Sequence, residues 1–327
     1  MSPTSLIPRT PRMTLLLILA LACAACQTQP LNRKAAYHMQ QAQLYMEEGL
    51  KDSALASFAL ALEADPHLTA AHLGMGHIYR EEGKLDLATR AYEAAYKEEP
   101  DSARTNYYLG LVRQLSGNMR SALEHYLRAV AIDPSDQPAL EHLATTYMQL
   151  GRPADALPYA QRATQSMSAS ATTWANLGAC YMLLGKYEDA VGAFDYAIGR
   201  GDQRPEIQIS LAEALLKIGH FPQAMQILQP LARTKPSAAV YEHLGYTQFR
   251  LGQYDDALAS YRAALSYDPH DPASLNGLGV CLMTLYIEGG RNDATLRNQA
   301  TQAWRQSLKL NPAQPQIIDL MNRYQNL

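Results

Sequence analysis

Residues 171–204 read ATTWANLGACYMLLGKYEDAVGAFDYAIGRGDQR. Trp174, Leu177, Gly178 and Tyr181 fall at i, i+3, i+4 and i+7, the spacing of one helical face. Gly185 ends that helix, and a second follows with Ala190, Phe194 and Ala197 on its inner side. The same landmarks return at 34-residue intervals, in units starting at Ala35, Thr69, Ala103, Gln137, Ala171, Pro205, Ala238 and Pro272. The eighth place of each unit is always small (Ala42, Gly76, Gly110, Ala144, Gly178, Ala212, Gly245, Gly279), and the twentieth is always alanine, from Ala54 to Ala300. Two antiparallel helices approach closely only where side chains are this short. The pattern therefore predicts helical hairpins in series.

The punctuation agrees with that reading. Gly49, Gly83, Gly117, Gly151, Gly185, Gly219 and Gly252 occupy the turns, where a left-handed backbone costs glycine nothing. Pro66, Pro100, Pro134, Pro236, Pro269 and Pro312 stop the second helices. Phe58, Tyr92, Tyr126, Phe194, Tyr261 and Trp304 are expected to fill the space beside the neighbouring unit. Three departures stand out. Ser168 and Asp202 replace the terminal proline in units four and five; Pro158 and Pro230 fall inside second helices, predicting bends and irregular curvature; and unit eight carries nine extra residues between its helices, from Tyr286 onward.

The W-x2-L-G-x2-Y and A-x3-F-x2-A patterns resemble the tetratricopeptide (TPR) repeat. The resemblance implies an all-α fold, a right-handed superhelical solenoid of about eight helix-turn-helix units. Its divisions would be 35–68, 69–102, 103–136, 137–170, 171–204, 205–237, 238–271 and 272–314, the last with its insertion over 286–298, and a capping helix over 315–327. Hairpins of 12- to 14-residue helices are marginal alone and gain stability by stacking, so one cooperative array is expected rather than two globules.

Ahead of the repeats, residues 1–25 have the form of an export signal. Arg9 and Arg12 precede an apolar run from Leu15 to Ala22, too short for the roughly 20 residues a membrane span needs. The segment closes on Cys23-Ala24-Ala25-Cys26, which resembles the lipobox of bacterial lipoproteins. The resemblance implies cleavage before Cys26 and its lipidation, with Cys23 as the alternative, and a tether over 26–34. Gln27, not being aspartate, implies an outer-membrane address facing the periplasm; a signal-peptidase cut without lipid would instead leave a soluble periplasmic protein. The 327 residues are 47% hydrophobic and 18% charged, with a net charge of −3, so the chain is ordered yet lacks the basicity that holds nucleic acid or anionic lipid. Attachment to a membrane would rest on the acyl anchor alone.

No catalytic constellation is visible, so a non-enzymatic role without cofactor is expected. The nine histidines are dispersed without an H-E-x-x-H, His72 and His77 face different directions, and no cysteine pair has zinc spacing. Cys180 and Cys281 sit at the same place three units apart and read as buried small residues. In the family, the first helix of each unit lines a concave groove, with binding positions at places two, five, nine, twelve and thirteen. Those places hold Met39, Met46, Leu73, His77, Tyr107, Leu111, Leu115, Met148, Met182, Leu183, Ile209, Leu216, Tyr246 and Phe249, half of which at most should be accessible. Apolar groups in such a groove imply a peptide or helix of a partner protein, with no small-molecule substrate and no metal. The lysine and asparagine of the two-carboxylate clamp are replaced by Met39, Gln43, Leu73 and His77, which argues against that acidic C-terminal motif. A lipobox followed by TPR units resembles the lipoproteins that assist pilus and secretin assembly, pilotin-type and Flp (tight-adherence) systems included. The alternative partner class is cell-wall (peptidoglycan) enzymes.

Overall fold

A computed structural model describes residues 33–166 and 169–324. Cys23, Cys26 and the leader and most of the tether lie outside the described residues, as does the end of the cap, 325–327. Seventeen α-helices and no strand are present among the described residues. They pack as two compact units, the first ending at Pro134 and the second beginning at Ser135.

The first unit holds three hairpins: α1 (Arg33–Glu47) with α2 (Lys51–Ala64), α3 (Thr69–Glu81) with α4 (Leu85–Glu98), and α5 (Ala103–Leu115) with α6 (Met119–Ile132). Within the unit α2 packs on α1 and on α3, α4 on α3 and on α5, and α6 on α5. Arg33 and Lys34, read from the sequence as the end of the tether, are helical; nothing between them and Ala35 breaks a helix.

The second unit holds five hairpins: α7 (Gln137–Gln149) and α8 (Pro153–Thr164), α9 (Ala171–Leu183) and α10 (Tyr187–Gly199), α11 (Pro205–Lys217) and α12 (Phe221–Thr234), α13 (Ala238–Arg250) and α14 (Tyr254–Tyr267), and α15 (Pro272–Glu288) and α16 (Ala294–Leu310). A final helix, α17 (Pro315–Tyr324), buries Ile317 and Met321 against Leu282, Met283, Tyr286 and Trp304. Without it that apolar face would meet water. Here the first helices also touch one another in sequence, α7 to α9 to α11 to α13 to α15, forming an inner face.

The large rings fill the space beside the next unit as expected at Phe58, against Gly74, and at Tyr261, against Gly277, and they do more. They also fill the small eighth place of their own hairpin. A Cβ at Gly110 would lie 2.8 Å from Tyr126 Cδ1, and one at Gly178 2.6 Å from Phe194 Cε1, each ring belonging to the same hairpin. Tyr261 does both: it covers Gly245 in its own hairpin and presses on Gly277 in the next, where a Cβ would meet its Oη at 2.6 Å. The turn glycines adopt positive φ, for example +78° at Gly117.

The extra residues of unit eight are mostly helical rather than a loop. Four lengthen the first helix to 17 residues, three lengthen the second from the usual 14 to 17, and two widen the turn to 289–293. The apolar spacing explains this, since Leu282, Met283 and Tyr286 are buried and continue the helical stripe. Pro158 and Pro230 stand within continuous helices, both on exposed faces where water can satisfy the carbonyl each deprives of a donor.

Candidate functional site

Two neighbouring clefts open on the inner face of the second unit. The larger, about 600 Å³, lies among α13, α15 and α17, and the smaller, about 460 Å³, between α11 and α13. Both border Glu242 and Tyr246, which makes them one groove. Each falls within the roughly 300–1,000 Å³ of ordinary ligand sites.

The larger cleft is apolar on its floor. Phe249 and Val280 line it with Ile317 and Leu320 of the cap, and the buried Tyr261 ring lies against Gly277, which has no side chain to keep it away. Asn276 stands at the rim, donating from Nδ2 to Gln314 Oε1 at 2.6 Å, while its Oδ1 is buried without a hydrogen-bond partner. Gln314 in turn donates to Asn311 O at 2.7 Å and to Ser307 Oγ at 3.0 Å, fixing the approach of α17. Hence the cap is part of the cleft wall as well as a stopper.

The smaller cleft is charged. Arg250 donates to Tyr246 Oη at 2.6 Å and lies over the Phe221 ring, 4.3 Å from its centroid. Such stacking holds a guanidinium in place more firmly than water would. His243 Nδ1 is paired with Glu242 Oε2. Burial alone would lower the His243 pKa, but the hydrogen bond and charge of Glu242, with the charge of Glu213, outweigh it and Lys217, so the imidazole pKa is raised. The groove therefore has an apolar end closed by α17 and a charged end between α11 and α13.

Tyr246 and Phe249, expected from their places nine and twelve, meet in this groove. Leu216 borders the smaller cleft but is buried, and Leu73 is buried in the first unit's core, so these two are packing residues rather than open contacts. Their aliphatic side chains point into the hairpin interface, which place alone does not reveal. Met148, Met182 and Ile209 are half-buried and border neither cleft. Leu183 is exposed. In the first unit Met39, Met46, His77, Tyr107 and Leu111 are half-buried and Leu115 is exposed.

Five polar residues of the groove escaped the sequence reading although their places announced them. Glu242 and Asn276 stand at place five, Glu213 at nine, Lys217 and Arg250 at thirteen. The signal was present, but selection by apolar character passed over it. Ile317 and Leu320 had no such signal, because their contribution depends on the angle at which α17 packs.

Among the described residues no group of three or more His, Cys, Asp or Glu side chains could hold a metal ion. Cys180 and Cys281 are free and buried, their thiols donating to the carbonyls of Pro153 at 3.4 Å and Tyr254 at 3.1 Å. Burial raises both thiol pKa values, that of Cys281 to about 11, the opposite of an activated nucleophile.

Serial helical hairpins with an open inner groove define a class, the repeat scaffolds that hold other proteins. Models of the tetratricopeptide repeat match residues 35–68, 73–137, 142–205, 181–244 and 245–285, and the chain belongs to the tetratricopeptide-repeat family. It is similar to Hsp70-Hsp90 organizing protein 2 of Arabidopsis thaliana, 28% identical over 107 residues, which are 32% of this chain and only 19% of that protein. Among solved structures it resembles PilF of Pseudomonas aeruginosa, with a TM-score of 0.56 at 18% identity, covering 64% of this chain and 95% of that one. It also resembles PilW, described as a widely conserved type IV pilus biogenesis factor, with a TM-score of 0.54 at 22% identity, covering 62% and 94%. At such identities the likeness is one of fold.

Proposed function

We propose that this chain is an exported envelope scaffold that holds an extended or helical segment of another envelope protein in the groove of its second unit. The observation that carries the reading is the pair of clefts joined at Glu242 and Tyr246, apolar at the α17 end and charged at the other. A segment with one large apolar side chain would seat it between Phe249, Val280 and Ile317, a burial worth roughly 1.5–3 kcal/mol. Glu242, shared by the two clefts, would then set its direction through hydrogen bonds. Membrane attachment in this reading comes from a lipid on Cys26, with the outer membrane as the address. Fold similarity to PilW supports pilus or secretion-apparatus assembly as the process.

Two substitutions test the two halves. Phe249→Glu should abolish recovery of the partner while the helical content is unchanged, and undiminished recovery would remove the groove from consideration. Cys26→Ala should move the protein from the membrane fraction to the soluble one. Unchanged attachment, with Cys23 also replaced, would refute the anchor.

A further inference from the structure

We propose that the pocket between α16 and the end of α17 is a second ligand site, which takes a phosphate monoester carried by a soluble molecule or a lipid headgroup. It shares no residue with the two clefts of the inner groove and stands independently of the function proposed for that groove.

The pocket, about 330 Å³, is lined by Arg297, Asn298, Thr301, Gln302 and Arg305 of α16 and by Tyr324 of α17. Arg297, Thr301 and Arg305 stand at i, i+4 and i+8, one row about 12 Å long on the helix, and Asn298 and Gln302 belong to the row beside it. Both arginines therefore border one space, with the buried Thr301 between them. Tyr324 forms a further wall, its ring packed against the core cluster of Trp304, Ile317 and Met321. Packing on the core holds this wall in place.

Charge and donor content point to the ligand. Solvated helix faces interleave both signs, whereas α16 has three basic residues and no acid, in a chain whose net charge is −3. The acids that flank α16 in sequence are engaged. Asp293 caps the helix, accepting from Thr295 N at 2.8 Å, and Asp319 pairs with Arg323 at 3.0 Å. Neither Arg297 nor Arg305 has an ion pair among the described residues. All six lining side chains carry a hydrogen-bond donor and none is a carboxylate or an aliphatic group, so the pocket offers much to an anion and little to an apolar anchor. A carboxylate brings only two oxygens to two guanidinium forks and two amides. The three terminal oxygens of a phosphate monoester, with their greater charge, engage more of these donors.

The test titrates the whole chain with phenyl phosphate at pH 8, where the ester is a dianion, read by isothermal titration calorimetry. Binding should saturate, weaken as sodium chloride rises, and exceed that of benzoate about tenfold. Arg305→Gln, at an exposed position where glutamine is a comparable helix former, should weaken it about tenfold, the loss expected for one charge-assisted hydrogen bond, and Arg297→Gln similarly. Lys309→Gln, which removes the same charge from α16 outside the pocket, should leave the affinity unchanged. Sedimentation with phosphatidylcholine vesicles containing phosphatidic acid separates the two sources. Binding that both arginine variants lose marks a lipid headgroup, and its absence beside saturable phenyl phosphate binding marks a soluble ester. Equal affinity for phenyl phosphate and benzoate would overturn the proposal, as would affinity unchanged in both arginine variants or lowered equally by Lys309→Gln. So would the lack of saturable binding in either arm.

Discussion

Gly279→Ala should destabilise the second unit, whereas Gly192→Ala should stabilise it, although both put a methyl group into a helix. Alanine is intrinsically favoured over glycine inside a helix by about 1 kcal/mol. At Gly192, exposed in α10, an added Cβ meets nothing within 4 Å, so the full gain should appear. At Gly279 in α15 the Cβ would lie 2.9 Å from Trp304 Cε2, with Nε1 and Cδ1 closer still. The indole cannot step aside easily, since it is 1% exposed and its Nε1 donates to Asn276 O at 3.4 Å. Overpacking costs typically 1–3 kcal/mol, and the upper end applies where the clash is with a buried indole, so after the propensity gain of about 1 kcal/mol a net loss of about 2 kcal/mol remains. At about 2–4 °C per kcal/mol for a unit of this size, the unfolding transition of the second unit should fall by roughly 4–8 °C in Gly279→Ala and rise by roughly 2–4 °C in Gly192→Ala. Differential scanning calorimetry reads both. A Gly279→Ala protein as stable as its parent would refute the packing of own-hairpin rings onto the eighth place.

Four further expectations concern charge, thiols and turns. His77 is neutral in the folded first unit, with its pKa held near 4 by burial and the neighbouring arginines, so the unfolded chain takes up its proton first; stability should fall as pH drops from 6.5 toward 4, by on the order of 1–2 kcal/mol after solvent screening. His77→Gln should flatten that slope in acid unfolding curves. His243 has the opposite sign: its raised pKa contributes stability that is complete below 6.5 and lost as pH rises through the folded value, so Glu242→Gln should remove an alkaline decline in the second unit. Cys180 and Cys281 should label with a thiol reagent at pH 8 only as the protein unfolds, and peptide mapping that finds either one modified in the native state would contradict their burial. Gly117→Ala, at φ +78° with open space around the Cβ position, should cost about 1–2 kcal/mol from backbone strain alone, read by urea denaturation.

The repeat was legible because its causes are local. A small residue at Gly178 and a ring at Phe194 announce each other within one unit, and Gly185 marks the turn between them. The insertion was misplaced for an equally local reason: a 13-residue template for the first helix stops at Thr284, while the apolar stripe continues to Tyr286. Position in the unit identified Tyr246 and Phe249 but could not distinguish the buried Leu73 and Leu216 from them, because the depth of a side chain depends on how the next hairpin seats. The charged end of the groove needed only a different question of the same places, whereas the wall formed by Ile317 and Leu320 needed the packing of α17.

Occupancy of the second unit's inner groove by a partner protein is the proposal on which the functional reading depends. Site-specific photocrosslinking in whole cells tests it directly, with p-benzoylphenylalanine placed at Phe249 in the groove or at Arg262, exposed on α14. A discrete protein adduct is expected from position 249, mapped by mass spectrometry to one segment of one envelope protein, and none from position 262. Adducts of equal yield from both positions, or from 262 alone, would contradict it.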